Sequence, residues 1–472
     1  MTVEASRRPT SSPELSPGTG TAAGLAPRIL AGLAALVPLA IAASYVARIA
    51  TDVPFYDEWR FIPFIEKWRA GALTWADVVA QHDGHRIVTT RLAILASARL
   101  THWNILYEVW GGFAFLVGTG AILAWLHGRA TRSSGAGWSV ASAFALATIV
   151  FGLRQWENLY APWGLCIFSL GFFALLTFVL VQRRRWGAAM ATATLASLSF
   201  TNGILVWPIV LLQLLVEEYR VAPSGAEAAR RAARPAAAWV AVGAAVLAAY
   251  FSRYDRGLAH PSGSAGVIGL RFLAAIGTSI SPDRGVVSGG APLSPLTGAP
   301  LSIALGVFTL AALALALRPR PRRELPADYG LHLAMALFSL GSVAMLALGR
   351  SYLGLLQALS SRYTTSVTLL LAAVLLASAR PARPGGWLAA ARWGLVALAI
   401  CGNVIATRKE LQIVRHQAAG LREWARRVRN YRSTTDGEFA NPHYPPEQVR
   451  RWSAALEREG LSLFHRPPGA RP

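Results

Sequence analysis

Asp57 and Glu58 are adjacent carboxylates inside the run Asp52–Val53–Pro54–Phe55–Tyr56–Asp57–Glu58–Trp59, in a chain where charge is scarce. A carboxylate at a low-dielectric boundary can act as general base toward a hydroxyl, or hold a divalent cation. The plain alternative is a solvated loop whose Phe55, Tyr56 and Trp59 form an aromatic belt.

Three further groups carry similar chemistry. His82 and His85, in His82–Asp83–Gly84–His85–Arg86, stand at i and i+3 and would share a face if helical. They could bind a metal, but no third ligand follows at zinc-like spacing. Arg86 beside them suits a phosphate, which the guanidinium fork grips in two places. The alternative is a polar loop with a salt bridge from Asp83 or Asp77 to Arg86. The run Arg154–Gln155–Trp156–Glu157–Asn158–Leu159–Tyr160 reads as a loop contacting carbohydrate through Gln155, Trp156, Glu157 and Asn158, or as an interface anchor. Arg350–Ser351–Tyr352 and Ser360–Ser361–Arg362–Tyr363 place two arginines at the ends of apolar runs. Arg350 and Arg362, with Tyr363, could hold a lipid phosphate or simply snorkel. Asp283–Arg284 is a weaker group of the same kind.

The elements that must position these residues are apolar helices. Of 472 residues 54% are hydrophobic and 15% charged, against about a quarter charged in soluble domains. The fold class expected is an all-α integral membrane protein, a polytopic bundle of about eleven transmembrane helices. Net charge is +22, but the arginines sit in short clusters between apolar runs. That excludes a nucleic-acid partner and fits cytoplasmic loops facing anionic lipid. The two cysteines, Cys166 and Cys401, lie in apolar stretches and make neither a disulfide framework nor a metal site. Residues 1–26 read as a disordered tail, and the run after them as a retained anchor rather than a signal peptide.

Spanning stretches fall near 27–50, 104–127, 138–153, 161–182, 187–201, 203–217, 236–252, 299–317, 330–349, 363–379 and 387–407. The stretch 265–281 is short and reads as re-entrant. With the N-terminus inside, the inner loops carry Arg129 and Arg132, Arg183 to Arg185, Arg220 to Arg234, Arg318 to Arg323, and Arg380 and Arg383. Each is basic, as the positive-inside rule requires. Asp52, Asp57, Glu58, Asp77, Asp83, Glu157, Asp255 and Asp283 then fall outside. Within the first outer loop, 51–103, Phe61, Phe64, Ile65 and Trp68 recur at helical spacing. So do Ile87, Leu92, Leu95 and Leu100, and both read as helices lying in the interface. The polar tail 408–472 is expected outside despite its arginines. Glu447, Val449, Trp452 and Leu456 mark a short amphipathic helix there.

These motifs resemble the GT-C class of membrane glycosyltransferases, which includes protein O-mannosyltransferases, aminoarabinose transferases and arabinosyltransferases. The class has many spans, a large first outer loop with interfacial helices, and an acidic motif beyond the first span. Closest are uncharacterised bacterial members with stretches like Tyr56–Trp59, His82–Arg86, Gln155–Asn158 and Ser361–Tyr363. The resemblance covers residues 27–407 by topology. It implies a polyprenyl-phosphate-sugar donor and a glycan, lipid or protein acceptor. It places transfer on the outer face of a bacterial plasma membrane. Asp57, seconded by Glu58, would be base or acceptor ligand, and in some members a divalent cation (Mg or Mn) binds near this motif. The short tail departs from relatives that carry a folded carbohydrate-binding domain. A transporter or lipid flippase is the competing reading, although no internal repeat is visible and the ionisable groups sit at span ends rather than the midplane. A non-catalytic scaffold is a third.

Overall fold

The computed structural model describes residues 22–255, 264–282, 298–379, 386–439 and 444–465. Asp283, Arg284, Arg380 and Arg383 lie outside them. The described chain is helical, and its one β-bridge pairs His82 with His85.

Among the described residues, eight helical segments are long and apolar enough to cross a membrane: Ile29–Ile49, Leu106–Ala130, Ala136–Tyr160, Gly164–Gln182, Gly225–Phe251, Ala299–Ala316, Tyr329–Gly349 and Ala389–Arg429. They belong to α1 (Ala22–Ile49), α5 (Leu106–Ala130), α6 (Ala136–Phe151, running on into α7, Trp156–Tyr160), α8 (Gly164–Gln182), α11 (Gly225–Phe251), α13 (Gly298–Ala316), α14 (Tyr329–Gly349) and α16 (Trp387–Arg429). Three other expected spans are helical but short: α9 (Trp186–Ser199), α10 (Val206–Val221) and α15 (Thr368–Ala377). The first two have 14 and 16 residues, below the roughly 17–25 that a bilayer requires, and α15 has 10, extended to Ser361–Ala377 by the 3-10 stretch before it. A 3-10 stretch precedes α10 (Thr201–Leu205) and another precedes α15 (Ser361–Val367). The stretch expected to be re-entrant forms α12 (Ala265–Thr278), packed on α13. Gly277 and Gly306 let those two backbones touch; a methyl on either would overlap the other helix.

The bundle core joins residues from α1, α5, α6, α8, α14 and α15. Its basic turns share one end. There Arg184 pairs with Glu218, Gln182 reaches Asp328, and Arg322 lies 5.1 Å over Tyr219.

The opposite end carries a second apolar cluster, a cap that brings the two ends of the sequence together. The first loop contributes α2 (Ile62–Arg69), α3 (Trp75–Val79) and α4 (Val88–Thr101). The tail contributes the end of α16 and α17 (Pro446–Glu459). Helix α3 starts on a Thr74–Asp77 capping box; α17 starts with proline in its first turn and stops at left-handed Gly460. Ile62 and Ile65 of α2 share the cap cluster with Val449, Trp452 and Leu456 of α17. The apolar face of α2 is therefore covered by protein, not left bare for lipid as its pattern suggested. Leu92 and Leu100 of α4 do remain exposed. Ser462 donates to Asp52 at 2.9 Å, its backbone N–H donates to His102, Arg69 meets Glu459 at 3.1 Å, and Arg458 meets Glu66. The tail, with its short helix α17, is thus part of a folded cap. Many of its arginines are ion-paired, including Arg426 and Arg427 with Glu423 and Arg432 with Glu457.

Candidate functional site at the capped end

Three chain segments meet where the cap joins the bundle. The first is the Tyr56–Asp57–Glu58 turn, which opens the short helix Tyr56–Phe61. Tyr56 sits at φ +50°, a left-handed conformation costing a non-glycine residue roughly 1–2 kcal/mol. The two acids after it differ in exposure. Asp57 faces solvent, while Glu58 is 2% exposed. Burial, then the nearby Glu108 and Asp57 carboxylates, push the Glu58 carboxyl well above its ordinary value. A buried carboxyl that holds its proton more tightly is a poorer general base and is not presented to a substrate. The structure therefore corrects the pairing of Glu58 with Asp57: only Asp57 is presented.

The second segment is the His82–His85 turn. The two histidines do not share a helical face. They close a tight turn with reciprocal backbone bonds of 2.7 and 3.0 Å, and Asp83 at its tip takes φ +50°. Aspartate tolerates this conformation better than most residues. The His82 ring stacks on Phe61 at 5.3 Å, and His85 stacks on Phe200 at 3.7 Å with Nδ1 2.6 Å from the Thr201 hydroxyl. Burial, then Arg350, pushes His85 down to about 3, so its ring is neutral. Burial and Arg60 likewise lower His82. Arg86 is buried, and its guanidinium donates to the carbonyls of Tyr250, Ser252 and Val79. It fastens the turn to the end of α11, with its donors spent on backbone rather than phosphate.

The third segment joins α6 to α8. The expected exposed loop is instead a buried pair of short helices: Gln155, Trp156, Glu157 and Asn158 are each at most 3% exposed. They hold the Ser360–Thr365 segment. Ser361 and Ser360 donate to Glu157 at 2.6 and 3.2 Å, Asn158 donates to the Arg362 carbonyl and Thr365 hydroxyl at 2.8 Å each, and Thr365 donates to Gln155 at 2.7 Å. Trp156 stacks on Tyr160 at 5.8 Å. Arg362 is partly exposed. Its Nη2 lies 3.7 Å from Glu157, and its guanidinium lies 5.0 Å over the Trp163 ring. Tyr56 meets the same ring edge-on at 5.6 Å, which brings the Asp57 turn beside Arg362.

Arg350 completes the group. Burial lowers its guanidinium, but Tyr363, Tyr352 and Asp83 more than offset that and raise it. Tyr363 is largely buried and its hydroxyl accepts from Gln357 at 3.3 Å.

Sequence reading missed three participants. Arg60 pairs with Asp83 at 2.8 Å and lowers it, overcoming the effect of burial. Tyr444, from the tail, is raised to about 12 by burial and then by Asp57. Arg271 is fully buried on α12 and donates to the Ser351, Gly354 and Arg350 carbonyls, fixing the Arg350 turn. A lone arginine in an apolar run was the available signal for Arg271; Tyr444 had none.

A cation at Asp57 and Glu58 does not fit, because Glu58 is buried. Among the described residues, Asp57, His82 and Asp83 offer ligand atoms within 4.8 Å of one another. Arg60 pairs with Asp83 and so offsets one of the two carboxylates of this group.

No protein-family model, curated protein or solved structure matches the chain.

Proposed function

We propose that the chain is a membrane glycosyltransferase that moves a sugar from a polyprenyl-phosphate-linked donor to a cell-envelope glycan, lipid or protein acceptor on the outer face. One observation carries this reading. The exposed Asp57 carboxylate shares one end of an apolar bundle with two partly buried arginines, Arg362 near Tyr56 and Arg350 near Asp83 and His85. A lipid-linked phosphosugar calls for that combination: cations for the phosphate, an apolar body for the chain, and a base for the acceptor. The basic turns at the far end support an outer position for the capped end. Exposed Leu92 and Leu100 support α4 lying in the interface.

In this reaction Asp57 takes the acceptor hydroxyl proton and the acceptor oxygen attacks the anomeric carbon. The bond from that carbon to the phosphate oxygen breaks, and the electron pair leaves with polyprenyl phosphate. Arg362 and Arg350 stabilise the departing charge. Glu157, Trp163 and Arg271 hold those arginines in place. Neutral His82 and His85 add no positive charge that would compete for the phosphate. A flippase would need none of this to be exposed beside a carboxylate.

The test is to incubate the purified protein and a membrane acceptor extract with polyprenyl-phosphate sugars. Release of polyprenyl phosphate together with sugar incorporation supports transfer. Movement of intact donor between leaflets without release would establish the flippase reading.

A further inference from the structure

A cavity of about 530 Å³ runs along the seam of α1, α5 and α6, toward the end of the bundle away from the cap. Along α1, its lining residue Ala35 stands about 21 Å before Ile49 at the helical rise. The walls are built from small side chains: Gly32 and Ala35 on α1, Gly120 and Ala124 on α5, Ala143 and Ala147 on α6. Small residues on three adjacent helices leave a trough where larger ones would interdigitate. Leu36 both lines the trough and is 54% exposed. The trough therefore reaches the outer surface of the bundle, where neighbouring Leu33 and Val37 are also exposed.

Its polar end is basic. Thr131, Arg132 and Ser134 line it there, and among the described residues no acidic side chain lines it. Arg132 is exposed. Nearby, Arg129 and Arg183 stack on Trp125 at 5.0 and 4.6 Å.

We propose that this trough holds an acyl chain of an anionic phospholipid from the surrounding leaflet, with the headgroup phosphate at Arg132. The volume falls within the roughly 300–1,000 Å³ of ligand pockets. Water does not fill an apolar trough well, and an empty one forfeits dispersion contacts on every wall. An acyl chain restores them. The apolar walls do not choose between lipids, since every tail is as apolar as leucine. Selection comes from Arg132, whose planar fork matches a phosphate, and from the surrounding positive charge, which favours a net negative headgroup. The site is separate from Asp57 and holds whether or not the chain transfers sugar.

Native mass spectrometry of the full chain, purified in mild detergent and equilibrated with phosphatidylglycerol or phosphatidylcholine, tests it. The expected result is one retained phosphatidylglycerol per chain, in clear preference to phosphatidylcholine. Arg132→Gln should cut that preference about five-fold, the effect of one basic residue near an anionic headgroup. Ala147→Phe, which fills the trough, should lower retention of both lipids. Equal retention of the two lipids by the unaltered chain, or a preference unchanged in Arg132→Gln, would overturn the proposal. Should Ala147→Phe fail to fold, the surface substitution Arg132→Gln decides alone.

Discussion

The Ser361 hydroxyl donates a 2.6 Å hydrogen bond to the Glu157 carboxylate, joining segments 204 residues apart in sequence. Through it the turn bearing Arg362 is fixed to the helix bearing Asn158. Glu157→Ala should therefore remove the carboxylate that Ser360, Ser361 and Arg362 share. The expected cost is about 1–3 kcal/mol of stability, read as a lower thermal midpoint in detergent. Glu157→Gln, which keeps an acceptor oxygen, should cost less. Equal losses would mean that the carboxylate is not what holds the turn.

Arg86 is a staple by its geometry, and lysine cannot replace it. One ammonium does not span the carbonyls of Val79, Tyr250 and Ser252 together. Arg86→Lys should lower stability by about 1–3 kcal/mol. Hydrogen exchange should locate the loosening in residues 79–86 and at the end of α11.

Glu58 gives a pH signature. Its folded-state carboxyl is raised, by burial first, so the folded chain holds this proton more tightly than the unfolded chain. The stabilisation is full below the ordinary glutamate value of about 4.3. It fades as pH rises through the higher folded value. Glu58→Gln removes the liability. The variant should match the parent near pH 4 and exceed its thermal midpoint progressively toward pH 8. His85 works in the opposite sense: its folded value near 3 withholds stability as pH falls below about 6.5. A parent profile with no decline toward alkaline pH would contradict the burial of Glu58.

The cap rests on aromatic packing between chain ends. Trp452 stacks on Trp59 at 6.1 Å, and Trp59 meets Trp424 edge-on at 6.4 Å. Trp452→Ala should cost about 3–5 kcal/mol. Because Tyr444 packs on Trp452 at 5.0 Å, the same change should also disturb the Asp57 side of the site. Limited proteolysis within 431–465 would show whether the tail has come free.

Helices, their order and the gathering of charge at one end were legible because hydropathy and arginine placement report them directly. The role of particular polar residues was not. Gln155, Glu157 and Asn158 looked like surface ligands because nothing local reveals that Ser361 and Thr365 cover them from across the bundle. His82 and His85 suggested a helix by spacing, while Asp83–Gly84 between them already carried the turn chemistry. The split between Asp57 and Glu58 depends on the burial of Glu58, with Glu108 nearby, which only the fold supplies. Nor did the tail's arginines reveal that Arg432 and Arg458 form ion pairs within the cap.

The most direct test of the account compares purified Asp57→Asn with the parent chain, using a polyprenyl-phosphate sugar and a membrane acceptor extract. The account predicts that the parent releases polyprenyl phosphate and incorporates sugar. The variant should still bind donor but lose transfer at least about 100-fold, the lower range for a general base. Transfer that survives in Asp57→Asn, or that is lost together with donor binding, would contradict the role given to Asp57.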